Sequence, residues 1–252
     1  MTNLDILDCI SRYTCLRNKL ENALPRFPLK SYEFTSDTGE QRVAFTRHLR
    51  NIAALDHFAS GMDRLSEFYI AADYFQGRVH LTRDEKDFSD AYREKFFVTL
   101  AADSLRSSLD MFANSFTSFF DLEKSTNRGG YNFKPFLKEL KNRSEELFTI
   151  GNELYQSESF KTVKKFRDSH KHKGLNKREI KLVDKPDSFK ASISNPLPID
   201  MKVVMKALVK LFYLVEDIAS KFVEIVQESD KGYVSPRDRY YLVDGDKLTL
   251  WK

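Results

Sequence analysis

Apolar residues recur at helical spacing over many consecutive turns, and this periodicity restricts the fold more than any other feature of the sequence. The longest stripe, within residues 41–75, consists of Phe45, Leu49, Ile52, Leu55, Ala59, Met62, Leu65, Tyr69 and Ala72. Residues that interrupt helices are scarce, because the 252-residue chain has 9 Gly and 7 Pro. The pattern predicts an all-α protein, an antiparallel helical bundle that forms a single domain over residues 1–252.

Proline, glycine and capping residues mark the predicted helix ends. The stripes predict helices before Pro25, over 41–75, over 84–122, from Pro135 through Leu154, from about Phe160 to Gly174, and after Pro198 to about Gln227, with Asp200 as N-cap. Small β-hairpins are predicted near 178–195, with Lys185-Pro186-Asp187 as the turn, and at the C-terminus around Asp244-Gly245. We expect these hairpins to decorate the bundle.

The sequence argues against a membrane-spanning or secreted protein. Its most apolar stretch, residues 203–226, contains Lys206, Lys210, Glu216, Asp217, Lys221 and Glu224. A bilayer-spanning helix would not tolerate so many charges. The first residues resemble no signal peptide, and Cys9 and Cys15 lie on different faces of a predicted helix, so no disulfide between them is expected. We expect a soluble, cytoplasmic protein without a membrane partner.

The predicted helices over 41–75 and 84–122 are longer than the core of one subunit needs. Long helices with apolar seams often pack against a second copy of themselves. A homodimer is therefore expected.

Positive charge is concentrated in residues 161–178. This segment has eight Lys and Arg residues against one acid, Asp168, a net charge of +7, whereas the whole chain has a formal net charge of +4. Such a cluster attracts phosphate groups or acidic protein surfaces, although the same charges would also suit a solvated helix face. The candidate substrate-binding residues in the cluster are Lys164, Lys165, Lys171 and Lys173.

The basic segment also combines an arginine and a histidine in a pattern suited to phosphodiester cleavage. Arg167 is followed by Asp168 and, after four intervening residues, by His172, with His170 between them. A histidine titrates near neutral pH and can act as acid or base, and an arginine can hold phosphate oxygens through two parallel hydrogen bonds. His170 and His172 have no third metal ligand close in sequence, so neither a metal site nor another cofactor is predicted.

This motif resembles the Arg–x(4–6)–His motif of the HEPN superfamily (higher eukaryotes and prokaryotes nucleotide-binding domain). The resemblance implies a metal-independent endoribonuclease of a stress-response, toxin–antitoxin or phage-defence system, with RNA as substrate and an antitoxin protein as a further partner. It implies that Arg167 stabilises the phosphate, that His172 is the acid or base, and that the motifs of two subunits share one cleft. Asp168 stands where many members have Asn, and either His170 or His172 could be the acting imidazole. The alternative function is a non-catalytic module that binds RNA, a nucleotide or a protein.

The resemblance also suggests boundaries within the single domain. A HEPN-like core would span residues 84–228, with an N-terminal helical extension, residues 1–77, packed on it and a tail or hairpin over 229–252.

Two other parts of the chain have a similar spacing of Arg and His. They are Arg42 to His48, and Arg50 to His57, where Asn51 follows the arginine. Both lie in the predicted helix over 41–75, and we interpret them as surface or interface residues. Farther along, Asp103 and Asp110 share a face of the predicted helix over 84–122, with Arg106 between them. One of these acids could face Arg167 from that helix, or both could pair with Arg106.

Overall fold

The computed structural model of the chain describes residues 6–24, 33–35, 41–78, 88–122, 133–172, 179–185, 188–194, 200–229, 232–244 and 247–250. Within these ranges the helices are α1 (Ile6–Ala23), α2 (Phe45–Arg78), α3 (Phe88–Phe120), α4 (Phe133–Lys141), α5 (Glu145–Gln156), α6 (Glu158–His172) and α7 (Met201–Glu228). The strands are β1 (Glu33–Thr35), β2 (Gln41–Val43), β3 (Glu179–Lys185), β4 (Ser188–Ser194), β5 (Tyr241–Asp244) and β6 (Lys247–Leu250). The prediction of a helical bundle with small β additions is confirmed.

Phenylalanine side chains fill the centre of the bundle. The ring centroid of Phe222 in α7 lies 5.9 Å from that of Phe58 in α2. It lies 4.3 Å from the centroid of Phe116 and 5.4 Å from that of Phe119, both in α3. All four side chains are buried, and burial of one such side chain is worth about 1.5–3 kcal/mol. These contacts hold α2, α3 and α7 together.

The last long helix begins and ends close to its predicted positions. The Asp200 side chain caps α7 by accepting a hydrogen bond from the Lys202 amide at 2.8 Å, as the sequence predicts. At the other end, the Ser229 amide donates to the carbonyl of Val226. Between these caps α7 buries a continuous apolar face against the bundle.

Two helix boundaries differ from the prediction. Residues 41–43 form strand β2, so the long second helix starts at Phe45 rather than Gln41. The helix expected from Pro135 through Leu154 is two helices, α4 and α5, because Ser144 interrupts it. The Ser144 hydroxyl accepts a hydrogen bond from the Leu147 amide and caps a new helix.

Both predicted hairpins form. β3 pairs with β4 around the predicted turn, with Lys185 opposite Ser188, and β5 pairs with β6, with Asp244 opposite Lys247. The sequence analysis did not predict that β5 also pairs with β2, which gives an antiparallel sheet of order β1-β2-β5-β6. This sheet joins the segment before α2 to the segment after α7.

A buried ion-pair cluster reinforces that junction. In this Asp238 cluster, formed by Arg47, Arg50 and Asp238, the Arg47 Nε donates to the Asp238 carboxylate at 3.0 Å and both side chains are 1% exposed. Arg50 pairs with the same carboxylate and also donates to the main-chain carbonyls of Phe119 and Tyr233. The cluster therefore links the start of α2, the end of α3 and the tail.

The interpretation of the Arg50 and Arg42 matches as surface or interface residues is wrong for Arg50 and His48. The Arg50 side chain is only 14% exposed and binds three partners within the chain. His48 is buried as well, and the loss of hydration lowers the pKa of its imidazole below the ordinary value.

The remaining expectations concern membrane helices, the two cysteines and the division of the domain. No helix in the described ranges combines the length and apolarity needed to cross a membrane. Cys9 is buried and Cys15 is exposed, and no disulfide joins them. The division of the domain at residues 77, 84 and 228 stays a prediction.

Candidate functional site

Helix α6 carries the motif and presents one mixed stripe to its neighbours. The helix begins after Ser157, whose hydroxyl accepts a hydrogen bond from the Phe160 amide at 3.1 Å. Phe160, Val163, Lys164, Arg167 and Asp168 then follow at the three- and four-residue spacing of one helix face. The stripe changes from apolar to charged toward the end of α6.

This stripe forms one wall of a cleft with a volume of about 240 Å³. The opposite wall belongs to α3, where Ala102, Leu105 and Leu109 lie on a single face. Tyr155 of α5 and Leu211 of α7 complete the apolar lining. Four helices therefore meet at the cleft, and its interior is lined by apolar side chains.

Four of the residues that line the cleft are charged, and three of them are basic. They are Arg106 of α3 and Lys164, Arg167 and Asp168 of α6. Lys164 and Asp168 are exposed, and Arg106 is half-buried. The lining therefore combines an apolar interior with a net positive charge, which suits an anion with an attached apolar or aromatic group.

Arg167 is the least exposed of these charged groups. Its side chain is 23% exposed, and its Nε lies 3.8 Å from the Oδ1 of Asp103 on α3. At this distance the guanidinium and the carboxylate form an ion pair but no hydrogen bond. The Arg167 Nε is buried and has no hydrogen-bond acceptor among the residues that the structure describes. A buried donor without an acceptor costs about 1–3 kcal/mol, which an anionic ligand could recover.

Each predicted partnership of the α3 acids occurs for one of the two acids. Asp103 pairs with Arg167 of α6, as the first alternative proposed for an acid of this helix. Arg106 donates through Nε to Asp110 at 3.0 Å, one turn along the same helix, as the second proposed. Arg106 is therefore held by an acid of its own helix. The distance from Arg167 to its acid, Asp103, is longer, and Asp103 is more exposed than Asp110.

The remaining predicted site residues are less fully defined. Lys165 is exposed on α6 and does not line the cleft. His170, Lys171 and His172 belong to the last turn of α6, where the structure describes the main chain only. Lys173 lies outside the described residues.

The helical main chain fixes the angular positions of these residues around α6. Residue 170 follows Arg167 by three positions and so starts from nearly the same side of the helix. Residue 172 follows by five positions, which places it about 140° farther round the axis at 100° per residue. Arg167 and His172 therefore do not start from one face of α6.

The sequence analysis missed the aromatic side of the cleft. Tyr155 and Phe160 are half-buried, and their ring centroids lie 5.1 Å apart with an interplanar angle of 46°. Phe160 was assigned only to the apolar stripe of its helix, and nothing in the local sequence distinguishes Tyr155. Their proximity depends on how α5 and α6 meet at Ser157.

Within the residues that the structure describes, no three His, Cys, Asp or Glu side chains converge closely enough to hold a metal ion. His170 and His172 are not among these residues, because the structure does not describe their side chains.

Comparison with known proteins gives one match. The model of a family described as Cthe2314-like HEPN matches residues 54–223, which is more than half of the chain. The matched range includes every residue that lines the cleft and the positions of Arg167 and His172, and it leaves out Arg50 and Asp238. No curated protein and no solved structure matches the chain.

Proposed function

Because the chain belongs to the HEPN superfamily, as a member of its Cthe2314-like family, we propose that it is a metal-independent endoribonuclease that acts through Arg167 and His172. The observation that carries this proposal is the buried Arg167 Nε, which lines the cleft and has no hydrogen-bond acceptor in the described part of the chain. A phosphate oxygen would supply that acceptor and would replace the distant Asp103 as the counter-charge. Arginine is well suited to this role because its charge and planar donors persist at any physiological pH.

The proposed reaction requires few groups. The 2′-hydroxyl of a nucleotide attacks the adjacent phosphorus, and the bond to the 5′-oxygen breaks, which leaves a 2′,3′-cyclic phosphate and a 5′-hydroxyl. One histidine accepts the proton of the attacking hydroxyl, and another protonates the leaving oxygen. Arg167 stabilises the charge on the phosphorane, and Asp168 orients that arginine. Lys164, Lys165, Lys171 and Lys173 attract the RNA backbone, and His170 is the second candidate imidazole.

A dimeric site is part of the proposal because of the angular separation within α6. Arg167 and His172 start from positions about 140° apart on one helix, so in this proposal the histidine of one subunit serves the arginine of another. Such an arrangement would also supply both an acid and a base.

An exposed apolar patch supports self-association. Ile70 and Tyr74 lie one turn apart on α2, and Phe96 and Leu100 lie one turn apart on α3, and all four are exposed. Tyr74 stacks on Phe97 with a centroid distance of 5.3 Å, which brings the two pairs together. Monomeric proteins rarely leave such a group of large apolar side chains in water, so we assign this patch to a second copy of the chain.

The test is cleavage of a labelled RNA pool by the purified protein in EDTA, compared among the wild type, Arg167→Ala, His172→Ala and His170→Ala. Arg64→Ala is the matched control, because it removes the same charge from an exposed ion pair with Glu67 on α2, away from the cleft lining. Loss of an acid or base is expected to slow cleavage by about 10²- to 10⁴-fold. Loss of the phosphate-binding arginine should cost roughly 10²- to 10³-fold.

The outcomes separate the two candidate functions. Cleavage that survives Arg64→Ala but is lost in Arg167→Ala and in one histidine variant supports the ribonuclease. Binding without cleavage, unchanged by either histidine substitution, favours the non-catalytic RNA-binding module, for which the separation of Arg167 and His172 on α6 is the supporting observation. A role in stress response, phage defence or a toxin–antitoxin pair, with an antitoxin partner, is part of the ribonuclease proposal.

A further inference from the structure

The cleft beside Arg167 extends past the arginine into an apolar interior. Leu105 and Leu109 of α3 and Leu211 of α7 lie inside, and each is at most 5% exposed. Tyr155 and Phe160 line the cleft and remain half-buried, so their rings retain surface that the protein itself does not cover. A phosphate bound to Arg167 would use the rim and leave this apolar interior vacant.

The size and shape of the interior limit what can occupy it. The whole cleft, with its charged rim included, has a volume of about 240 Å³, which is below the roughly 300–1,000 Å³ of pockets that hold drug-sized ligands. It is large enough for one planar ring system with its attached atoms, but not for two stacked bases. The half-buried aromatic rings and the leucines offer stacking and dispersion contacts to such a ring.

One stripe of α6 joins an aromatic residue of the cleft, Phe160, to its basic residues. Phe160 and Val163 precede Arg167 by seven and four residues on the same face of α6, and Lys164 lies beside them. A nucleotide joins a planar base to a phosphate in the same way. Proteins that recognise single-stranded RNA commonly splay out a base and stack it on an aromatic side chain.

We propose that this interior is a subsite for one unstacked base of single-stranded RNA, held next to the phosphate that Arg167 binds. This inference rests on the proposed function, because it assumes that the phosphate at Arg167 belongs to RNA. A paired base cannot enter, since it is stacked within the duplex. The subsite would therefore restrict the protein to loops, bulges and unpaired ends.

The experiment measures binding of an unstructured 2′-O-methyl oligonucleotide in EDTA, by fluorescence anisotropy and by the fluorescence of one 2-aminopurine base. The modified oligonucleotide cannot be cut, because the attacking hydroxyl is blocked. The variants are Tyr155→Ala and Phe160→Leu, the second of which keeps an apolar side chain against the core. Phe148→Ala is the matched control, because Phe148 is also a half-buried aromatic residue of α5 but does not line the cleft.

Loss of one base–aromatic contact is expected to weaken binding by roughly 5- to 150-fold, the equivalent of about 1–3 kcal/mol. The proposal requires this loss in Tyr155→Ala or Phe160→Leu, little change in Phe148→Ala, and weaker binding of the same sequence as a duplex. Equal affinity of all three variants for the oligonucleotide, or equal affinity of the wild type for single strand and duplex, would overturn it. Competition by adenosine monophosphate at the concentration at which the oligonucleotide competes would assign the subsite to a free nucleotide and overturn the RNA assignment.

The same proteins distinguish this failure from failure of the proposed function. If unmodified RNA is not cleaved but binding still depends on Phe160, the catalytic proposal fails and the base subsite stands. If RNA is cleaved with unchanged affinity and rate in Tyr155→Ala and Phe160→Leu, the subsite fails and the ribonuclease stands.

Discussion

Removing the charge of Asp238 should destabilise the protein more than any exposed ion pair can. The Asp238→Asn substitution keeps the side-chain volume but leaves Arg47, which is 1% exposed, without its counter-charge, and also removes the charge that faces Arg50. Loss of one partner from a buried ion pair costs about 3–5 kcal/mol, because an uncompensated charge stays in the interior. For a chain of this size each kcal/mol lowers Tm by roughly 2–4 °C, so Tm should fall by roughly 6–20 °C.

Thermal unfolding followed by circular dichroism at 222 nm measures this change directly, since the protein is mainly helical. Glu158→Gln is the matched control, because it makes the same carboxylate-to-amide change in an exposed pair, where the Glu158 side chain is 86% exposed beside Lys161. An exposed pair contributes about 0–1 kcal/mol, so the control should lose no more than about 4 °C. Equal Tm values for the two variants would refute the argument that the Asp238 cluster is energetically important.

Three further predictions follow from particular side chains. Burial lowers the pKa of His48 below 6.5, so the unfolded chain binds the proton more readily than the folded chain. The free energy of unfolding should therefore be highest above that pH and should decrease as the pH falls below it. His48→Gln should reduce the drop in the urea midpoint between pH 7 and pH 5. Gly61→Ala should lower Tm, because the new Cβ would lie 2.6 Å from the buried ring of Phe112. The overpacking cost of about 1–3 kcal/mol exceeds the gain of about 1 kcal/mol in helix propensity. An unchanged or higher Tm would contradict this. Asp103→Asn should raise RNA affinity by up to about fivefold, because this exposed carboxylate competes for Arg167, and equal or weaker binding by anisotropy at low salt would show that it does not.

The parts of the fold that the sequence predicted are those set by neighbouring residues. The cap at Asp200 and the pairing of Lys185 with Ser188 involve residues that are only a few positions apart in the chain. The break at Ser144 was missed although it is local, because the apolar spacing continues across it and favours one uninterrupted helix.

The missed features join distant positions. Arg47 and Asp238 are 191 residues apart in the chain, and the pairing of β2 with β5 has a similar separation. No local pattern encodes such a contact, so Arg50 looked like a surface residue in an amphipathic helix. The same limit applies to the candidate site, where the sequence pointed to Arg167 and Lys164 but could not bring Tyr155 beside them.

Helix α3 separates the Asp238 cluster from the cleft. Leu109, the cleft residue nearest the end of α3, lies ten residues before Phe119, whose carbonyl binds Arg50. Ten residues of helix span about 15 Å, and substitutions more than about 7–10 Å apart without shared partners usually have additive effects. The cluster also lies outside the matched family range, whereas the whole cleft lies within it. Stability and RNA binding should therefore depend on different ends of this helix, so a binding defect in an Arg167 variant with normal Tm reports on the cleft alone.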